Sequence, residues 1–136
     1  MSDLTEIFGE PISVYTRAQA LEDGALVDLS EHARDFGIRW PVACTRAVWV
    51  DCIEWSDSLN KLKGTGQDEI GRACDVLAMA AWRLRKGGND SRGVFTVLRT
   101  PTDGRGHKPR PVELHIHCGP GDTPAPVLTI MMPTED

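Results

Sequence analysis

A chain of 136 residues has the length of one domain and can bury a substantial core. Its 40% hydrophobic and 26% charged residues exclude a disordered polymer, and 15 Lys and Arg against 20 Asp and Glu leave a net charge of −5. The longest apolar run, residues 76–82, is far short of the ~20 residues of a membrane helix.

The acidic opening, residues 1–6, lacks the basic-then-apolar order of a secretory signal, so one cytoplasmic domain over residues 1–136 with no membrane contact is expected. Thr16 is placed to cap a short helix through Asp23, with Gly24 supplying a left-handed exit. Residues 25–29 read as a short extended piece, and Ser30 caps a second short helix that stops at Gly37. Pro41 precedes a third helix, capped by Thr45 and ended by Gly64 or Gly66. Along it Val48, Cys52, Trp55, Leu59 and Leu62 alternate spacings of four and three, which stacks them on one face. Trp49 and Trp55 are six apart and cannot both sit at the centre of that face, so one of them is expected to be partly exposed.

A fourth helix spans residues 67–86, with Ile70, Ala73, Cys74, Leu77, Ala78, Ala81 and Leu84 on its apolar side. Arg83, Arg85 and Lys86 complement the helix dipole in its last turn, and Gly87-Gly88 ends it. The period then changes from 3.6 to 2 over residues 94–99, 112–118 and 127–132. Three strands in succession predict an antiparallel meander, and helices before strands predict an α+β domain. The expected architecture is a three-stranded antiparallel meander in the C-terminal half packed on the two longer helices, with the short helices at the N-terminus.

No pair among Cys44, Cys52, Cys74 and Cys118 has the Cys-x-x-Cys spacing of a zinc or redox site, and buried reduced thiols are expected. Walker, Gly-x-Ser-x-Gly and His-Glu-x-x-His motifs are absent from the sequence. His115 and His117 are two apart on a predicted strand and share a side, but two ligands are not a metal site; no cofactor and no metal are expected. Residues 119–124 read as a hairpin connection rather than a phosphate loop, because two prolines remove donors and no helix follows.

Charge is unevenly distributed: residues 1–35 carry −6 and residues 83–110 carry +6. The long connection over residues 101–111 is basic and rich in Gly and Pro, the composition of a binding loop. Arg99, Arg105, His107, Lys108 and Arg110 are therefore the candidate binding residues. The loop contains no aromatic residue on which a base could stack, and the net negative charge opposes general nucleic-acid affinity.

Several blocks together resemble an uncharacterised family of small bacterial proteins. They are residues 7–12, 15–20 and 23–28, then Pro41-Val42-Ala43-Cys44-Thr45-Arg46-Ala47-Val48-Trp49, then residues 118–122 and 126–133. The resemblance implies a setting on plasmids, integrated elements and phages, and attaches no biochemical activity. Proteins of that setting often act by binding, anti-CRISPR inhibitors among them. The function expected is thus a non-enzymatic binding protein of a mobile element, with a protein partner such as a host defence complex. The alternatives are a nucleic-acid-binding accessory protein using the 99–110 segment, and an enzyme or metalloprotein built around His115 and His117.

Overall fold

A capping box opens the first helix, α1 (Arg17–Asp23). The Thr16 hydroxyl accepts from the Gln19 N–H at 3.0 Å while the Gln19 side chain accepts from the Thr16 N–H at 2.9 Å. Gly24, at φ 85°, provides the exit. The Asp122 carboxylate takes two more of the helix's early donors, the N–H groups of Arg17 and Ala18, at 2.7 and 3.0 Å. The computed structural model that shows this describes residues 15–87, 91–104 and 106–135.

Strand β1 (Leu26–Asp28) leads into α2 (Ser30–Ala33) and a 3-10 turn, Arg34–Phe36, ended by Gly37. Ser30 does not cap this helix, as its sequence suggests. It is the first helical residue, and its hydroxyl accepts from the Val42 N–H at 3.0 Å and donates to Asp28 at 2.6 Å, bridging to the next strand. That strand, β2 (Val42–Thr45), occupies residues expected to lead into a helix; Val42, Ala43 and Cys44 are all buried.

The expected third helix is broken into two. Thr45 caps α3 (Arg46–Val48), which widens into a π turn over Trp49–Ile53 and stops where Glu54 turns extended, at ψ 133°. A second helix, α4 (Asp57–Lys63), starts afresh because the Ser56 hydroxyl accepts from the Leu59 N–H at 3.2 Å. The interruption rotates the apolar stripe: Val48, Cys52 and Trp55 are buried, Leu62 is 65% exposed, and Lys63 turns inward instead. Trp49 is half-buried beside the fully packed Trp55.

Asp68 caps the long helix α5 (Glu69–Arg85) through the Gly71 N–H. Its buried stripe is Arg72, Ala73, Val76, Leu77, Ala80 and Ala81, so the face lies slightly round from the expected one and Ile70 is 62% exposed. After it come β3 (Arg92–Arg99), β4 (Arg110–Pro120) and β5 (Pro126–Met131).

These three pair antiparallel in succession, but the sheet is not a three-stranded meander. It has five strands in the order β1-β2-β5-β4-β3, and β2 runs parallel to β5. The mixed pairing arises because β5 still has a free edge after the meander, and the short apolar β2 fills it. The architecture is α+β. Phe95, Val97, Leu114, Ile116, Leu128, Ile130, Val42 and Cys44 form the sheet's covered face and pack with α5 and the π turn into one core.

The ladder between β3 and β4 has a defined phase. The Cys118 N–H donates to the Ser91 carbonyl at 2.7 Å, so this pair is hydrogen-bonded and bonding alternates from it. Gly93, Phe95, Val97 and Arg99 therefore bond inward to β4, while Arg92, Val94, Thr96 and Leu98 turn their N–H and C=O outward. Pro111, opposite Leu98, falls at a non-bonded position and beyond the reach of β5, so its missing N–H costs no ladder bond.

Candidate binding site

Of the expected binding residues, Arg99, His107, Lys108 and Arg110 lie at one end of the sheet, around the connection from β3 to β4. Arg99 and Arg110 stand opposite each other as register partners at its two feet. His107, Lys108 and Arg110 are exposed; Arg105 lies outside the described residues. Arg99 is half-buried and engaged by the Asp51 carboxylate in a forked pair at 3.1 and 3.2 Å. Of the residues described, the Lys108 and Arg110 cations and the His107 ring thus remain directed at solvent, beside an open cleft of about 430 Å³ lined by Arg99, Pro101, Asp103, Gly106 and Arg110.

Two further cations, neither anticipated from the sequence, lie beneath this loop. Lys63 is 6% exposed, and its ammonium donates to the carbonyls of Pro101, Asp103 and Gly106 at 2.6, 2.9 and 2.6 Å. Arg72 is 3% exposed and donates to the carbonyls of Ile53, Thr100 and Asp51 and to the Gln67 side chain at 3.0–3.3 Å. Its guanidinium lies 4.4 Å over the Trp55 ring. The consecutive carbonyls of Thr100 and Pro101 thus receive Arg72 and Lys63 respectively. Burial pulls the Arg72 pKa down from its ordinary value, although nearby acidic groups oppose the change.

Among the described residues neither buried cation takes a carboxylate as a hydrogen-bond partner; carbonyl dipoles and one amide oxygen satisfy both. The loop is consequently built round an ammonium group rather than left as a solvated excursion. Lys63, in the last turn of α4 before Gly64, reads in the sequence as an ordinary dipole-complementing lysine. Only the return of residues 101–106 shows its use.

Beside this end runs a second groove of about 440 Å³, between α5 and the outer edge of β3, lined by Cys52, Arg72, Asp75, Met79, Thr96 and Leu98. Burial, and next the Asp51 carboxylate, push the Cys52 thiol up to about 12, so at neutral pH it carries its proton and is a poor nucleophile. Burial also raises the Asp75 carboxyl, against the pull of Arg72. Asp51 at this groove is held by Arg99.

His115 and His117 do share the side of β4 that faces away from the core of the sheet, yet their rings lean apart. The His115 Nε2 lies 3.3 Å from Glu113, whereas the His117 ring lies over Gly119, where an added Cβ would meet it at 3.0 Å. Among the described residues no group of three or more His, Cys, Asp or Glu is placed to hold a metal ion. The four cysteines are free thiols, Cys44 and Cys52 buried. Among the described residues the Arg99–Asp51 ion pair does not join the acidic and basic segments of the sequence. Residues 121–125 do connect β4 to β5 as a hairpin, and no described helix is long and apolar enough to cross a membrane.

These features define an α+β protein with a mixed five-stranded sheet and a basic loop clamped by buried cations. The chain belongs to a family of unknown function, DUF6573, whose model matches residues 4–136. Neither a curated protein nor a solved structure matches it.

Proposed function

We propose that the protein is a non-enzymatic binding protein whose basic end docks an acidic surface of a partner protein. The observation that carries this reading is the pair of buried cations, Lys63 and Arg72, held by the carbonyls of the loop that displays His107, Lys108 and Arg110. Two buried charges hydrogen-bonded by neutral dipoles, with Asp51 and Asp75 acting on Arg72 only through space, add positive potential to that end of a molecule whose net charge is −5. The clamp also fixes the loop before any encounter, which reduces the ordering cost of binding. Positive potential over a preformed surface speeds association with an acidic partner and selects against a basic one.

A protein partner is favoured over nucleic acid because the loop offers no stacking surface and the rest of the molecule repels phosphate. The setting implied by the resemblance, a mobile element, makes a host defence complex of the kind inhibited by anti-CRISPR proteins the partner class to test first. The test uses two baits in a bacterial host, the wild-type chain and a variant with His107→Glu, Lys108→Glu and Arg110→Glu. A partner retained by the wild type, lost by the variant and released by moderate salt supports the reading. Equal recovery on both baits, or no partner across several hosts, refutes it. A shifted DNA band at low salt, absent for the triple variant, replaces it with the nucleic-acid alternative.

A further inference from the structure

Among the described residues the outer edge of β3 is open: β3 has β4 on one side and no strand on the other, and Arg92, Val94, Thr96 and Leu98 turn four N–H and four C=O groups outward. On the side of the sheet away from the core, Val94 is 46% and Leu98 61% exposed. Natural sheets usually blunt such an edge with charge, proline or a covering element, and the middle of this one carries none of these. The groove beside it, with Asp75 and Met79 on its helical wall, leaves space along the same edge.

We infer that this edge is the seam of a symmetric dimer, with β3 pairing antiparallel to β3 of a second copy so that two five-stranded sheets become one. The register follows from chemistry. Outward-facing residues must pair with outward-facing residues, and a two-fold axis at Thr96 sets Val94 opposite Leu98 of the other copy. Both exposed apolar pairs are then covered across the seam, which ends before the buried Thr100. An axis at Val94 would leave Leu98 unmatched, and one at Leu98 would leave Val94 so.

The helices supply an independent argument. Arg72 bonds the Thr100 carbonyl and the Arg83 guanidinium lies against Gly93, so α5 runs antiparallel to β3, and Met79 lies beside Thr96 in the shared groove. The axis that passes through Thr96 therefore passes close to Met79. Asp75 and Arg83 are one turn before and one turn after Met79. Across the two-fold, Asp75 of each copy meets Arg83 of the other, an opposite-charge pair made twice by the same operation. The strand edge and the helix thus select the same axis from different chemistry, which is what identifies a second copy, rather than an unrelated peptide, as the occupant.

Sedimentation equilibrium and light scattering over a range of protein concentrations read the assembly directly. The wild type is expected to dimerise. Thr96→Pro removes an outward N–H that no intramolecular bond uses, so it should leave the fold's circular dichroism unchanged and weaken association by at least tenfold. Asp75→Arg and Arg83→Asp should each weaken association, and the double exchange should restore it, an outcome that general destabilisation does not produce. A wild type that stays monomeric at hundreds of micromolar, or a dimer indifferent to Thr96→Pro and to the charge exchange, overturns the inference. Because these residues lie outside the basic loop, failure here leaves the partner-binding test unaffected.

Discussion

Replacing Lys63 by Met keeps most of the aliphatic stem and deletes the ammonium that three carbonyls share. In the native protein the Nζ group bonds Pro101, Asp103 and Gly106 at 2.6–2.9 Å with the residue 6% exposed. Hydrogen bonds to a charged group contribute about 1.5–3 kcal/mol each, and their loss is opposed by the several kcal/mol no longer needed to desolvate the ammonium. The exposed part of the loop can also turn its carbonyls to water, which the buried Pro101 carbonyl cannot do. The net expected loss is about 2–4 kcal/mol of unfolding free energy. Urea denaturation measures this, and hydrogen exchange locates it. Amides of residues 102–104 and 106–108 should lose protection in Lys63→Met while those of α5 change only by the global amount. A loss under about 0.5 kcal/mol with loop protection unaltered would refute the clamp, since it would mean that water serves the three carbonyls equally well.

Other expectations follow from single contacts. Ile130, fully buried between β2 and β4 in the sheet, should cost about 2–5 kcal/mol when changed to Ala, measured by denaturant midpoint. Ser56→Ala removes the cap that restarts the chain at α4 and should cost about 1 kcal/mol, with the loss of helicity confined to residues 57–63 by exchange. Burial pushes both the Cys44 and Cys52 thiols up to about 12, so native protein at neutral pH should protect both from a maleimide that labels them rapidly in denaturant. The Asp23 carboxylate accepts from the Tyr15 hydroxyl and then from the Ala25 N–H, which hold its pKa below the ordinary 3.8. That contribution is complete above 3.8 and is lost as pH falls through the lower folded value. A Tyr15→Phe variant should therefore show a shallower loss of stability with acid; identical slopes would exclude the contact.

The strands of the meander and the helix α5 are legible because each is long enough to repeat its period several times. Strand β2 is not. Val42-Ala43-Cys44 gives barely more than one period, and its position between Pro41 and a threonine cap matches a helix lead-in as well as a strand. What decides is the free edge of β5, more than eighty residues later in the chain. The break after Ile53 is hidden by the regular apolar spacing from Val48 to Leu62, and only the structure shows Ser56 capping a new helix inside it. At the binding site the exposed basic residues are visible from composition alone. Lys63 and Arg72 are invisible there, because a cation is buried only where distant carbonyls converge on it, and no local pattern records that convergence. Arg99, conversely, looks free in the sequence and is engaged by Asp51.

The place of β5 in the sheet has a consequence for how the molecule is made. Strands β1 and β2 form one antiparallel pair and β3 and β4 another, and β5 alone lies between them, bonded to both. During synthesis each pair can form as it emerges, but the two cannot share a sheet until residues 126–131 arrive. Until then the inner edges of β2 and β4 stand open side by side, each a template for the wrong strand. Closure is then a single insertion that satisfies both edges at once and brings Leu128 and Ile130 into the core, so the step is cooperative and rests on contacts distant in sequence. Substitutions in this six-residue strand should slow maturation and raise aggregation out of proportion to their effect on the finished fold.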